Sequence, residues 1–223
     1  MKRTPLGERE LPVYSQGEER LNTLTHVLGG LMGIAVLIRG LRIASEHRNP
    51  WAVVGCAVYG VSMILLYTVS SLYHGLPAGN AKRLLRVFDH CTIYALIAGT
   101  YTPILLAAMR PMYPALAWTI LGCEWGLGLL AAVLTAIDLK KYSRLSMACY
   151  IGMGWMVAAA LKPTIKAVTT PGFLWLLAGG VAYTVGAALY VWGKKRKWFH
   201  SVFHVFVVLG SALQAVCILR CVL

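Results

Sequence analysis

Long apolar stretches separated by short clusters of charge dominate the chain from residue 24 onward. A helix needs about 20 mainly apolar residues to cross the hydrocarbon core of a bilayer. Seven stretches approach or meet that scale: Leu24–Ile38, Trp51–Tyr73, Leu84–Ala108, Tyr113–Ile137, Leu145–Leu161, Phe173–Trp192 and Phe199–Leu219. The first and fifth are short and are expected to extend into their flanks. Trp51, Tyr73, Tyr113, Tyr142 and Trp198 stand at or near the ends, where amphipathic rings favour headgroup depth. The expected fold is an all-α membrane protein, a seven-transmembrane helix bundle. It forms a single integral membrane domain over residues 1–223, with residues 1–23 as a polar N-terminal segment. Gly29 with Gly33, and Gly122 with Gly126, have the small-xxx-small spacing that lets helix backbones approach. Pro103 cannot bond the carbonyl of Gly99 and predicts a kink in the third helix.

Composition narrows the class. Of 223 residues, 58% are hydrophobic and 13% charged, with a net charge of +13. A disordered basic tail lacks such apolar content, and a soluble nucleic-acid-binding domain would have no polar surface left, so nucleic acid is set aside as a partner. Counted over alternate loops, 14 Lys and Arg fall on the side of the N-terminus and 7 on the other. The positive-inside bias therefore predicts a cytoplasmic N-terminus and, after an odd number of crossings, a C-terminus outside. The first 20 residues are polar, with four acids, and predict no cleavable signal peptide. All six cysteines fall within or at the ends of apolar stretches without C-x-x-C spacing, and read as small core residues.

The histidines carry the chemistry. In this topology His26, His74, His90, His200 and His204 all sit at cytoplasmic helix ends, and only His47 lies opposite. His200 and His204, spaced i, i+4, share one helical face about 6 Å apart along the axis. That pair is either a polar rim or a pair of metal ligands. His74, ending the second stretch at the same depth, favours the metal. Three neutral imidazoles without a fourth protein ligand describe a tetrahedral Zn²⁺ site with one position open. No H-E-x-x-H is present to supply a helix-borne base. Asp89, a few residues into the third stretch, is the candidate: a carboxylate inside a membrane helix is costly enough to imply a partner or a role. It acts as proton acceptor or pairs with Arg86 or Lys82. Ser70, one turn before His74, donates to water or an oxyanion, or back-bonds to a carbonyl. His90, adjacent to Asp89, is turned about 100° away and is expected to touch headgroups or a loop.

These residues fall into a recognisable arrangement. The chain resembles the hemolysin III proteins, the bacterial branch of the progestin and adipoQ receptor superfamily. The resemblance is carried by E-x-x-N-x-x-T-H (Glu19, Asn22, Thr25, His26), S-S-L-Y-H ending at His74, F-D-H-C-T-I-Y-A-L-I-A-G-T-Y-T-P from Phe88 to Pro103, M-G-W at Met153–Trp155 and H-S-V-F-H at His200–His204. It implies a seven-helix bundle in the bacterial inner membrane, and zinc held by His74, His200 and His204 with Asp89 and Ser70 beside its water. Because the superfamily looks like the alkaline ceramidases, it also implies hydrolysis of lipid amides. Glu19, Asn22 and His26 belong to the pattern and share one face at the inner mouth of the first helix, a site-lining position; His26 as a fourth ligand is the less favoured alternative. Glu124, in mid-span, departs from the pattern. It is either protonated and hydrogen-bonded in the bundle or lines a polar cavity leading to the metal.

Three functions compete. A zinc-dependent hydrolase of lipid amide or ester bonds at the inner leaflet, with membrane lipids as substrate, ranks first. A receptor or sensor with a structural zinc ranks second, and a cytolysin or channel third, because polar residues cluster at one end instead of forming a stripe through several helices.

Overall fold

The computed structural model describes residues 4–193 and 196–223. Seven α-helices follow in order: α1 (Gln16–Glu46), α2 (Pro50–Gly75), α3 (Asn80–Pro103), α4 (Pro114–Ile137), α5 (Ser143–Gly154), α6 (Leu161–Trp192) and α7 (Phe199–Cys217). No strand occurs among the described residues. Six helical stretches are long and apolar enough to cross a membrane: Gln16–Glu46, Pro50–Gly75, Asn80–Met109, Pro114–Ile137, Ser143–Trp192 and Phe199–Val222. Large apolar side chains such as Leu31 and Leu129 are more than half exposed, as a surface bathed in lipid requires. Of the 14 basic residues that orient the chain, Lys2, Arg3, Lys194 and Lys195 lie outside the described residues.

The first helix starts earlier than its hydropathy predicts. Ser15 and Glu18 form a reciprocal capping box, so the chain turns helical at Gln16, and the polar segment expected over 1–23 ends at Ser15. Hydropathy registers only the part of a helix inside lipid. At 31 residues α1 is about 46 Å long, well beyond the ~30 Å hydrocarbon core. Its first turns therefore stand in the interfacial layer, where Glu18 and Glu19 are tolerated. Asn49 caps α2 by accepting from the Trp51 and Ala52 N–H groups, and Pro50 fills the first helical position.

Glycines set the helix spacings. A Cβ on Gly29 would lie 2.6 Å from the Tyr67 ring, and one on Gly33 would lie 3.1 Å from Met63 Cβ, so α1 and α2 run antiparallel in close contact. The expected role of Gly29 and Gly33 is thus realised. Gly122 and Gly126 differ: nothing lies within 4 Å of a Cβ on either, and they face outward, because glycine spacing alone does not say which face of α4 meets a neighbour. Gly55 accepts the backbone of Pro103, whose Cα would stand 2.6 Å from an added Cβ. After Pro103 the helix continues as a wider π-type turn over Ile104–Met109, the local adjustment that the missing N–H requires. The six cysteines are free, but Cys123 is exposed and so is no core residue.

The fifth and sixth stretches depart most from expectation. Instead of two helices with a gap at 162–172, α5 ends at Gly154, a tight turn spans Met156–Ala160, and α6 begins at Leu161. Tyr101 Oη causes the interruption by donating to the Gly154 carbonyl (3.1 Å) and accepting from the Val157 N–H (3.0 Å), which removes both from the helical ladder. Within α6 Thr169 leaves helical geometry at φ 64°, two residues before Pro171. The chain doubles back there. Trp155 Nε1 donates to Thr184 Oγ1 at 3.0 Å, a contact that 29 residues of continuous helix would forbid.

Glu124 is buried in the bundle, as one alternative expected, but without the expected hydrogen bond among the described residues. It sits on the buried face of α4 between Ile120 and Gly128, both carboxyl oxygens lack a hydrogen-bond partner, and it does not line the cavity beside the histidines.

Replacing Gly55 by Ala forces a methyl onto the Pro103 backbone and should cost about 1–3 kcal/mol. Gly122→Ala, entering open space, should be neutral or slightly stabilising. Thermal unfolding of the two variants in detergent checks this; equal melting temperatures would count against the packing described.

Candidate metal centre

Four helices bring their ends together. His74 comes from the last turn of α2, His200 and His204 from the first two turns of α7, Asp89 from α3, and Glu19, Asn22 and His26 from α1. α7 has no side-chain cap of its own. Its start is set by α1, since Glu18, while closing the capping box with one oxygen, accepts the Trp198 N–H at 2.7 Å with the other. One carboxylate thus begins α1 and registers the helix that bears two of the histidines.

The three imidazoles converge through their Nε2 atoms, 3.1 Å between His204 and His200 and 3.4 Å between His200 and His74. One nitrogen from each lies within 4.8 Å of the others, a grouping that can hold a metal ion. Nitrogens bound tetrahedrally at zinc distances stand about 3.3 Å apart, so the spacing suits one small cation. His74 and His204 are buried and His200 is partly so.

The His74 tautomer is determined by its partners. Nδ1 lies 2.6 Å from the Glu19 carboxylate and so donates to it, which leaves the Nε2 lone pair facing the other two rings. Asn22 Nδ2, at 3.4 Å from the same nitrogen, is then a neighbour, not its donor. Glu19 is held in turn by Lys82 Nζ at 2.7 Å, and Lys82 also donates to the His74 and Leu76 carbonyls. Lys82 therefore belongs to Glu19 and not to Asp89, against one alternative drawn from the sequence. Arg86 likewise donates to the Glu10 carbonyl, and among the described residues neither cation pairs with Asp89.

Among the described residues Asp89 pairs with no Lys or Arg; its contact is His90 Nδ1 at 3.8 Å, and its side chain is 14% exposed. Ser70 is buried with Oγ unpartnered, unlike Ser71, which back-bonds to Tyr67. Both line a narrow cavity of about 170 Å³, together with His26, His90, His200 and His204. The cavity runs on between apolar walls that include Leu66, Ile93, Ile97, Leu176 and Phe203. His90 therefore lines this cavity, where a loop or headgroup contact was expected, because Tyr150 holds its carbonyl and its Nδ1 turns back to Arg86 O. His26 stacks face to face on His204, centroids 3.8 Å apart, and is not among the three histidines whose nitrogens group together. At the other end of the bundle His47 Nδ1 meets the Leu223 carbonyl.

Tyr14 is the participant that sequence reasoning missed, and Lys82 is the one it gave the wrong partner. Lys82 was counted among loop charges although it lies in the first turn of α3, and Tyr14 precedes every periodic segment. Only the E-x-x-N-x-x-T-H spacing offered a signal, and it marked Glu19 without its role.

Fold and site define a class: an all-helical transmembrane protein with a buried cluster of three histidines that can hold a metal ion. The chain belongs to the haemolysin-III related family, whose model matches residues 14–215. It is 41% identical to Hemolysin-3 of Bacillus cereus over 206 residues, 92% of each chain. It is 38% identical to the Hemolysin-3 homolog of Bacillus subtilis (strain 168), over 93% of this chain and 95% of that one. A more distant match, 23% identical, is the Adiponectin receptor protein of Drosophila melanogaster, covering 89% of this chain and 49% of that one, which fits the wider receptor superfamily.

Replacing Glu19 by Ala frees the His74 ring to turn and should lower divalent-metal affinity about 10–100-fold. Competition with a chromophoric chelator measures it; unchanged affinity would remove Glu19 from the centre.

Proposed function

We propose that this protein is a zinc-dependent hydrolase of lipid amide or ester bonds, acting at the inner leaflet of a bacterial inner membrane. The observation that carries the proposal is the convergence of three Nε2 atoms at one end of an apolar cavity, beside a carboxylate that pairs with no Lys or Arg and a serine hydroxyl with no partner among the described residues. Bound by His74, His200 and His204, Zn²⁺ would supply Lewis acidity and a positive charge where charge develops. Asp89, with no competing ion pair from Lys82 or Arg86, accepts and returns a proton. Ser70 spends no hydrogen bond elsewhere and donates to an oxyanion. The apolar walls exclude water and seat an acyl chain, which makes membrane lipids the natural substrate class.

The same reading takes the bundle as seven crossings with the N-terminus in the cytoplasm and the C-terminus outside. The reversal at Thr169 supports it by dividing the Ser143–Trp192 stretch into two arms that pack through Trp155 and Thr184. The excess of Lys and Arg on the side of the histidines supports the orientation.

A receptor with a structural metal is the second reading, favoured by the likeness to the Drosophila adiponectin receptor protein. The name of the Bacillus cereus relative suggests lysis, but the cavity's long apolar wall is a poor path for ions.

Purified protein is expected to hold one zinc per chain. His200→Ala should lose both metal and hydrolysis, whereas Asp89→Ala should keep the metal and lose about 10²–10⁴-fold in rate on a panel of lipid amides and esters. Hydrolysis unaffected in Asp89→Ala would sink the assigned role, and zinc without turnover in the wild type would favour the receptor.

A further inference from the structure

Of the three convergent imidazoles, His74 is oriented by the Glu19 carboxylate, and the Asn22 backbone carbonyl, in the same segment, lies within reach of the His204 ring. Among the described residues neither His200 Nδ1 nor His204 Nδ1 completes a well-formed hydrogen bond. A metal-ligating histidine ordinarily spends its second nitrogen on a carboxylate, carbonyl or water that fixes the ring. Aromatic contact supplies the rest of what holds these two. Tyr14 lies flat on His200, centroids 4.7 Å apart at 17°, and His26 lies flat on His204, 3.8 Å apart at 22°. The other rings around His200, those of Tyr190 and Phe203, meet it tilted at 55° and 39° and leave its stacking face to Tyr14.

Tyr14, Glu19 and His26 fall within 13 consecutive residues, and each touches a different member of the cluster. From this we infer that the segment Tyr14–His26 is the positioning element of the metal centre, with Tyr14 and His26 orienting His200 and His204 by ring stacking and Glu19 orienting His74 by hydrogen bonding. The inference rests on the three-histidine metal reading. His26 is a positioning residue in it and not a ligand.

The segment is itself held against the bundle. Thr4 Oγ1 donates to Asp138 Oδ2 (3.0 Å), Arg9 Nη2 to the Ile137 carbonyl (2.9 Å), Arg83 Nε to the Arg9 carbonyl (2.9 Å) and Arg86 Nη1 to the Glu10 carbonyl (2.6 Å). These contacts lay residues 4–14 across the ends of α3 and α4 and bring the Tyr14 ring to His200. Backbone N–H groups of the Asp138 turn, that of Lys141 foremost, hold the Asp138 carboxyl below the usual carboxylate range. Lys82 also binds Glu19 from α3, so α3 and the end of α4 both hold this N-terminal stretch.

The test uses the full chain in nanodiscs, with zinc affinity read by chelator competition, geometry by the visible spectrum of the cobalt-loaded protein, and stability by melting of the metal-free protein. Tyr14→Leu and His26→Leu should each weaken zinc about 10–100-fold and shift the cobalt bands. Tyr14→Phe and His26→Phe, which keep a ring for the stack, should stay within about threefold with unshifted bands. Leucine variants that bind as tightly as wild type overturn the inference, as does a lowered melting point with unchanged affinity and spectrum. His26→Phe losing metal as completely as His200→Ala would make His26 a ligand and overturn its positioning role. A wild type that takes up neither zinc nor cobalt defeats the metal reading and this inference with it, whereas a loaded wild type with tight-binding leucine variants defeats this inference alone.

Discussion

The hydrogen bond between the Glu19 carboxylate and His74 Nδ1 is the contact on which the arrangement at this end of the bundle depends. It ties α1 to α2, selects the tautomer that turns the His74 Nε2 lone pair inward, and gives Lys82 of α3 its counter-charge. A carboxylate, an imidazole and an ammonium so close to lipid are each costly alone. Together they satisfy one another, and the uncharged face of His74 is what the cluster receives. The neighbouring Glu18 does related work for α7 by accepting the Trp198 N–H, so two adjacent acids register three helices.

Packing below that layer explains how the helix ends reach one another. Without a hydrophobic force between helices in lipid, close approach comes from small residues and shape. Gly29, Gly33 and Gly55 let α1, α2 and α3 lie nearly backbone to backbone, and Gly179, Gly186 and Gly210 do the same for α6 and α7. The helices are thereby held at the spacing that His74, on α2, and His200 and His204, on α7, need to converge. The cavity runs from the histidines between α2, α3, α5, α6 and α7.

The interruptions are as organised as the helices. Pro103, seated on Gly55, relaxes into a π-type turn. Tyr101 inserts its hydroxyl into the break between α5 and the turn that follows, and Thr169 reverses the chain. Each lets a helix change direction without abandoning backbone polar groups in lipid, which a bilayer permits only when a side chain or an altered helical turn takes them up.

The sequence by itself determined the helical membrane class, the approximate positions of most helices and the list of chemically capable residues. Hydropathy and charge are summed properties of local segments, and the spacing of His200 and His204 is a property of one helix. It also marked Pro103 as a bend and Glu19, Asn22 and His26 as one face. Only the tertiary structure decided which partners those residues take. Lys82 reads as a loop charge until α1 is packed beside it, and Tyr14 reads as part of a polar tail until the segment before α1 crosses the ends of α3 and α4. Glu124 looks like a site residue until α4 turns it away from the cavity, and Gly122 and Gly126 look like an interface until nothing is found opposite them. The break at Thr169 falls inside the hydropathy gap at 162–172, but hydropathy does not show that helix continues on both sides of that one residue. Pairings of this kind depend on helix rotation and register, which arise from contacts between residues far apart in the chain, and no window along the chain contains both partners.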